Sequence, residues 1–396
     1  MKKNLITTGA IAALGLVLAG CAASPPASEP VSDETAAAGQ SRIALTTDGA
    51  ILVLDASTLE LQAELPIDGF NRVSAAGDAS TVLVVNEEGF RVLDTGADDS
   101  SEPVLTDLVF EAEAAGHVVR HGGRTILFAD GTGDTTILDS ADFATATDAL
   151  PETEVVPALA AHHGVSIVLE DNTMLTTIGD ENGRSGVRVL DAERAEVTRN
   201  EECPAVHGEG TVANEGVVFG CENGVLVYAD GAFTKLPSPD AFGRVGNMYV
   251  SEDSPIAISD YKSDPDAEGY LLSQVVLIDT EALTSQVVAL PAGVEYTWRN
   301  VVRSSADEAV ILGSDGSLHL LDVATGEVTA SYPVIDPWDS PVEWQDAHPS
   351  LAVLDGVAYV TDSANKTISS VDLTTGDVLA STELPSAPNE MAIVTG

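Results

Sequence analysis

The chain has 396 residues, with 63 acidic and 17 basic side chains and a formal net charge of −46. That surplus repels phosphate backbones and anionic headgroups, so it argues against nucleic acid as a partner and against a polybasic membrane clamp. Metal cations and basic partners are attracted instead, and an acidic surface of this kind also keeps a protein soluble at high salt.

Lys2 and Lys3 precede an apolar run from Leu5 to Leu18, and Leu18-Ala19-Gly20 leads straight into Cys21. A charged start, a short apolar centre and small residues at the end form a secretory signal, and the cysteine after them completes a bacterial lipobox. The expectation is cleavage before Cys21 and a lipid on that cysteine, which places the mature protein outside the cytoplasmic membrane, tethered to it. The run is too short for a lasting membrane span. Residues 1–20 are thus a signal peptide. Residues 21–40, rich in Ala, Ser, Pro and Glu, cannot bury enough surface to fold and read as a flexible tether.

From 41 to 396, short Val/Ile/Leu/Thr/Tyr runs are divided by Gly, Asp and Asn, the pattern of an all-β chain. One unit recurs, as in Val82-Leu83-Val84-Val85 followed by Phe90 to Asp94, or Ile126-Leu127-Phe128 followed by Thr136 to Asp139. Units fall near 41–68, 69–105, 114–150, 157–198, 203–237, 243–290, 297–332 and 345–385. Four strands repeating at such a period predict a β-propeller. The strand Met391 to Thr395 has no unit of its own and the first unit is one strand short. Closure of the first blade by the C-terminal strand, giving eight blades, accounts for both; a weak first unit leaves seven as the alternative.

No hydrolase elbow, phosphate loop or dinucleotide fingerprint occurs in the chain. The seven histidines carry the chemistry. His117 and His121, His162 and His163, and His207 open three consecutive units, and His-Gly recurs before the second strand of each. Inner strands of a propeller line its channel, so equivalent positions of neighbouring blades converge. Imidazoles around one point, with a carboxylate such as Glu209 nearby, make a tetrahedral N/O site suited to zinc, although copper and nickel also accept imidazole. His121, His163 and His207 share one local frame, with His117 upstream; strand register decides which of them face the axis. Asp346 and His348 open the last unit and are further candidates, whereas His319 reads as structural. Taken singly, a histidine before a strand is more often bonded to a carbonyl than to a metal.

Asp130 with Asp134, and Asp264, Asp266 and Glu268, offer oxygen ligands at short spacing but do not match the helical calcium loop. Trp298, Trp338 and Trp344 fit packing between blades better than a ligand pocket. Cys203 and Cys221 are an even pair in an oxidising compartment and read as one disulfide, with a thiolate metal site as the alternative.

The segments Gly116 to Gly122, His162-His163-Gly164-Val165 and Cys203 to Glu209, followed by Val218 to Cys221, resemble the AztD type of secreted zinc metallochaperone. The resemblance covers most of the folded region and is sharpest from His117 to Cys221. It implies a propeller that is not an enzyme, that carries zinc outside the membrane and that delivers it to the solute-binding protein of a zinc ABC importer. It makes His117, His121, His162, His163 and His207 the zinc ligands and Cys203–Cys221 a structural bridge. It departs from that type in its N-terminal segment, which here has acids but no histidine. The competing readings are an interaction scaffold without metal and a metal-dependent enzyme with Glu209 as its base. The chain is expected to act as a monomer.

Overall fold

The computed structural model describes residues 40–396 apart from Thr147; the signal peptide, Cys21 and most of the tether lie outside the described residues. Eight sheets of four antiparallel strands form the blades of a β-propeller. In blade 2, for example, Arg72–Ala75 is innermost, followed outward by Thr81–Asn86, Gly89–Asp94 and Val104–Glu111.

The apolar runs are the two middle strands of each blade. These strands pack against neighbouring blades on both faces, so they show no alternation and are buried at nearly every position, as in Arg42–Thr47 and Ala50–Asp55. Outer strands such as Val328–Pro333 alternate between half-buried and exposed residues because only one face is covered. The core is therefore a ring of apolar layers between adjacent blades. Ala44, Ile51 and Val53 of blade 1 meet Val82 and Val84 of blade 2, and Val310 and Leu312 of blade 7 meet Val360 and Val371 of blade 8.

The ring closes as its orphan strand requires. Met391–Val394 pairs antiparallel with Arg42–Thr47, from Arg42 opposite Val394 to Leu45 opposite Met391, and becomes the innermost strand of blade 1. Ile43, Leu45, Leu52 and Leu54 then pack on Tyr359 and Ile368 of blade 8. The blade count is eight and not seven.

The boundaries of three units differ from those read off the repeat. Blade 2 continues through its outer strand to Glu111. Blade 3 interposes a 3-10 turn, Ser140–Thr145, before an outer strand Glu154–Val156, which lies past the expected end at 150. Blade 4 likewise starts later, with its inner strand at Ser166–Val168. Its outer strand, Glu196–Asn200, runs past the expected end at 198. A turn of this kind breaks the apolar periodicity, and the three-residue edge strand after it carries too few apolar positions to signal itself.

Candidate metal centre

The site lies where three inner strands begin. His117 is near the start of Ala115–His121 in blade 3, His163 precedes Ser166–Val168 in blade 4, and His207 opens His207–Val212 in blade 5. Their ring centroids are 5.1, 5.5 and 5.2 Å apart, and one ligand atom from each falls within 4.8 Å of the other two. Three nitrogens at that separation surround a volume the size of one metal ion.

Local structure aims each ring. A register shift between Ala115 and Val118 turns the start of the blade 3 strand toward the channel. A second shift, between His207 and Glu209, is made by Gly208 at φ +66°. A Cβ at Gly208 would lie 2.1 Å from the Gly246 carbonyl of blade 6, so only glycine permits this approach. The Cys203–Cys221 disulfide pins the segment entering His207, as expected. The Ser185 and Arg184 carbonyls add to it by accepting the Cys203 and Ala205 N–H groups at 3.1 and 2.9 Å.

The electronics favour a cation. The Asp130 carboxylate, which can only accept, lies 2.6 Å from His163 Nδ1 and also takes the Gly164 N–H at 3.3 Å. The His163 proton therefore sits on Nδ1 and Nε2 keeps its lone pair, the carboxylate–histidine arrangement that orients metal ligands. His117 and His207 each have a buried Nδ1 with no hydrogen-bond partner. Burial, followed by the neighbouring His163 ring, lowers the His117 pKa to about 4. Burial, followed by His117 and His163, lowers that of His207 to about 2. Both rings are uncharged at neutral pH, so neither has a proton to lose when a metal arrives. His163 is exposed, and with His117 it lines a cleft of about 890 Å³ formed by Phe70, Arg72, Val85 and Trp344.

The other candidates go elsewhere. His121 was read in the frame of His163 and His207, but it ends the blade 3 strand that His117 begins. At about 3.3 Å per residue it sits about 13 Å further along. Its Nδ1 and Nε2 are each 2.7 Å from a carboxylate oxygen, of Glu252 and Glu215, so no ring nitrogen is left for a metal. His162 is buried inside blade 4, with Nδ1 bonded to the Ala160 carbonyl at 2.8 Å and Nε2 to Thr177 Oγ1 at 3.0 Å. Gly164 and Gly179 make room for it, since a Cβ on either would lie 2.7 Å from the ring. Neighbouring side chains leave opposite faces of the strand approach, so His162 and His163 part company.

His348 is buried in blade 8 against Thr297 and the Asp346 carbonyl, and Asp346 itself is exposed. Glu209 is not among the groups that converge, and burial pushes its pKa up to about 8. Asp130 is engaged with His163 and Asp134 with the Ala158 N–H, which leaves no calcium loop there. His319 is structural, bonded to Ser331 and Asp315. Trp298 and Trp344 flank the Arg72 guanidinium at 5.1 and 5.8 Å, and Trp338 stacks on His348.

No family model matches the chain. It is similar to the zinc chaperone AztD of Citrobacter koseri, at 26% identity over 94% of this chain and 89% of that protein. Solved structures of that chaperone superpose with TM-scores of 0.76 and 0.75. They are 22% and 23% identical, cover 90% and 91% of this chain, and are themselves covered over 98% of their length. A dihydro-heme d1 dehydrogenase, NirN, shares the fold at a TM-score of 0.57 and 12% identity, covering 94% of this chain and 77% of that one. The likeness to the AztD type drawn from the histidine units thus extends along nearly the whole folded chain.

Proposed function

We propose that this protein is a zinc metallochaperone that holds one ion at His117, His163 and His207 and passes it to the solute-binding protein of a zinc ABC importer. The observation that supports this most is the convergence of three imidazoles from three blades, two of them half-buried, uncharged and each with a buried Nδ1 that has no hydrogen-bond partner. Three protein ligands leave zinc one open position, which suits exchange; a structural site would be closed by four. The exposed His163 edge and the cleft beside it offer a route for an acceptor's ligands.

The lipobox ending at Cys21 supports an extracytoplasmic location with a lipid anchor. Metabolic labelling with an alkyne fatty acid tests that part: the expected label disappears in Cys21→Ala, and its absence from the natural chain would remove the anchor.

Transfer is tested by mixing zinc-loaded protein with the apo solute-binding protein in the presence of a chromogenic chelator. Zinc should reach the acceptor faster than it reaches the chelator. Transfer no faster than dissociation into the chelator would leave a zinc-binding protein that is no chaperone. Zinc uptake no better than that of a generic acidic surface would leave an interaction propeller without metal.

A further inference from the structure

Most arginines of this acidic protein are spoken for. Arg42, Arg72, Arg91, Arg194, Arg199 and Arg299 each have a carboxylate oxygen at 3.2 Å or less. Among the described residues six others have none within 4.0 Å: Arg124, Arg188 and Arg303 bond carbonyl or amide oxygens instead, and Arg120, Arg184 and Arg244 have no side-chain acceptor at all, although the net charge is −46. Arg184 and Arg244 are both near enough to His207 for their charges to add to burial in lowering its pKa. Arg184 lies at the hairpin of blade 4 whose carbonyls hold the segment before His207. Arg244 opens the inner strand of blade 6, Arg244–Tyr249, which touches the His207 strand where Gly208 meets Gly246. Arg184 Nη1 is shut off from solvent and has no hydrogen-bond partner.

A buried donor left without an acceptor is costly, more so when it is charged. Two guanidiniums near each other add repulsion, seen in the lowering of the Arg184 pKa by burial and then by Arg244. Asp130 and Asp260 offset part of these charges from a distance, but neither guanidinium has a carboxylate in hydrogen-bonding contact; a cation site backed by two such groups is half of a larger site. The missing half is an anion.

The coordination shell asks for the same thing. The trio fills three positions of a tetrahedral zinc and leaves a fourth. No described residue fills it: Asp130 is committed to His163 and Gly164, and Glu209 does not converge with the trio. A guanidinium presents a planar fork that matches a carboxylate.

We propose that Arg184 and Arg244 form an oxyanion site beside the histidine trio, taking a carboxylate group that completes the coordination of the bound zinc. This rests on the zinc reading above. The carboxylate is either a free small anion or a side chain offered by an acceptor protein; in both cases the zinc is gripped by the pair of sites together and loosened when the anion leaves.

The test is zinc affinity of the full chain against a competing chelator, with free zinc corrected for acetate binding, in sulfonate buffer with and without acetate. Acetate is expected to tighten zinc binding at least fivefold in the natural protein and to leave Arg184→Gln unchanged. Arg244→Gln, at the other edge of the site, should show a reduced response and guards against a folding defect in the first variant. An equal acetate effect in all three proteins, or none in the natural one while zinc still binds, would overturn the anion site and leave the zinc reading standing. Failure of zinc to bind at all would overturn both. A second arm repeats the transfer assay in acetate: slower transfer assigns the site to an acceptor side chain, and unchanged transfer assigns it to a free anion.

Discussion

Two stretches of the inner ring use the same residue types to opposite ends. At the start of the inner strands in blades 3 to 5, three imidazoles face one another and two of them have a buried nitrogen with no partner. Around blade 8, His348, Arg299, Glu390 and Asn300 form a buried network in which histidine and carboxylate are engaged: Thr297 and the Asp346 carbonyl hold His348, and Arg72 and Arg299 share Glu390. Both regions are polar and both depress a histidine by burial, His117 and His348 alike to about 4. A depressed pKa therefore does not tell them apart. What does is satisfaction: the blade 8 histidine has its bonds, and the trio is short of a partner that a cation would supply.

The sharpest break between the regions is a histidine deletion. His207→Ala and His117→Ala should weaken zinc binding by more than about 100-fold, beyond the 10–100-fold usual for an outer-sphere partner. His348→Ala and His162→Ala should stay within about twofold, because neither ring contacts the trio's metal position. Competition titrations decide this, and a loss of equal size at His348 would erase the distinction.

Next in size is Asp130→Asn. Its side chain keeps the shape but can no longer fix the His163 tautomer as a charge, and zinc affinity should drop about 10–100-fold.

The pH dependence follows from the depressed rings. Ordinary imidazoles, with pKa about 6.5, would all have to lose a proton for zinc below that pH, and three of them would approach a thousandfold loss of affinity per unit. His117 and His207, at about 4 and about 2, stay unprotonated between pH 6.5 and 4.5. Two of the three ligands then have no proton to lose, so affinity should fall far less steeply than about a thousandfold per pH unit over that window. A steeper slope in the isothermal titration would mean that the trio is charged before metal arrives.

The smallest effect on zinc, and a clear one on stability, is expected in the satisfied region. His348→Ala leaves the Asp346 carbonyl without its partner and the Thr297 hydroxyl with Asn300 alone, at a cost of about 1–3 kcal/mol in denaturant unfolding.

Much of the architecture was legible because it is written in local pattern. Middle strands packed on both faces, such as Val82 to Val85, announce themselves as continuous apolar runs, and the orphan strand at Met391 could only belong to blade 1. The disulfide was legible from an even pair of cysteines. The ligand set was legible only as a pool of histidines. His-Gly looked like the common frame, whereas the shared feature is position at the start of an inner strand, which selects His117 over His121. That start depends on where a bulge falls, and the strand's local pattern does not announce it. Arg184 and Arg244 gave no local signal, since an arginine without a carboxylate is recognised only once every carboxylate has been placed.

The central claim is that three imidazoles from three blades hold zinc together. X-ray absorption spectroscopy of the zinc-loaded protein tests it most directly. The account predicts three imidazole nitrogens at about 2.0–2.1 Å with one further light ligand, and one imidazole fewer in His207→Ala. A shell of oxygens without imidazole scattering, or one unchanged by that substitution, would contradict it.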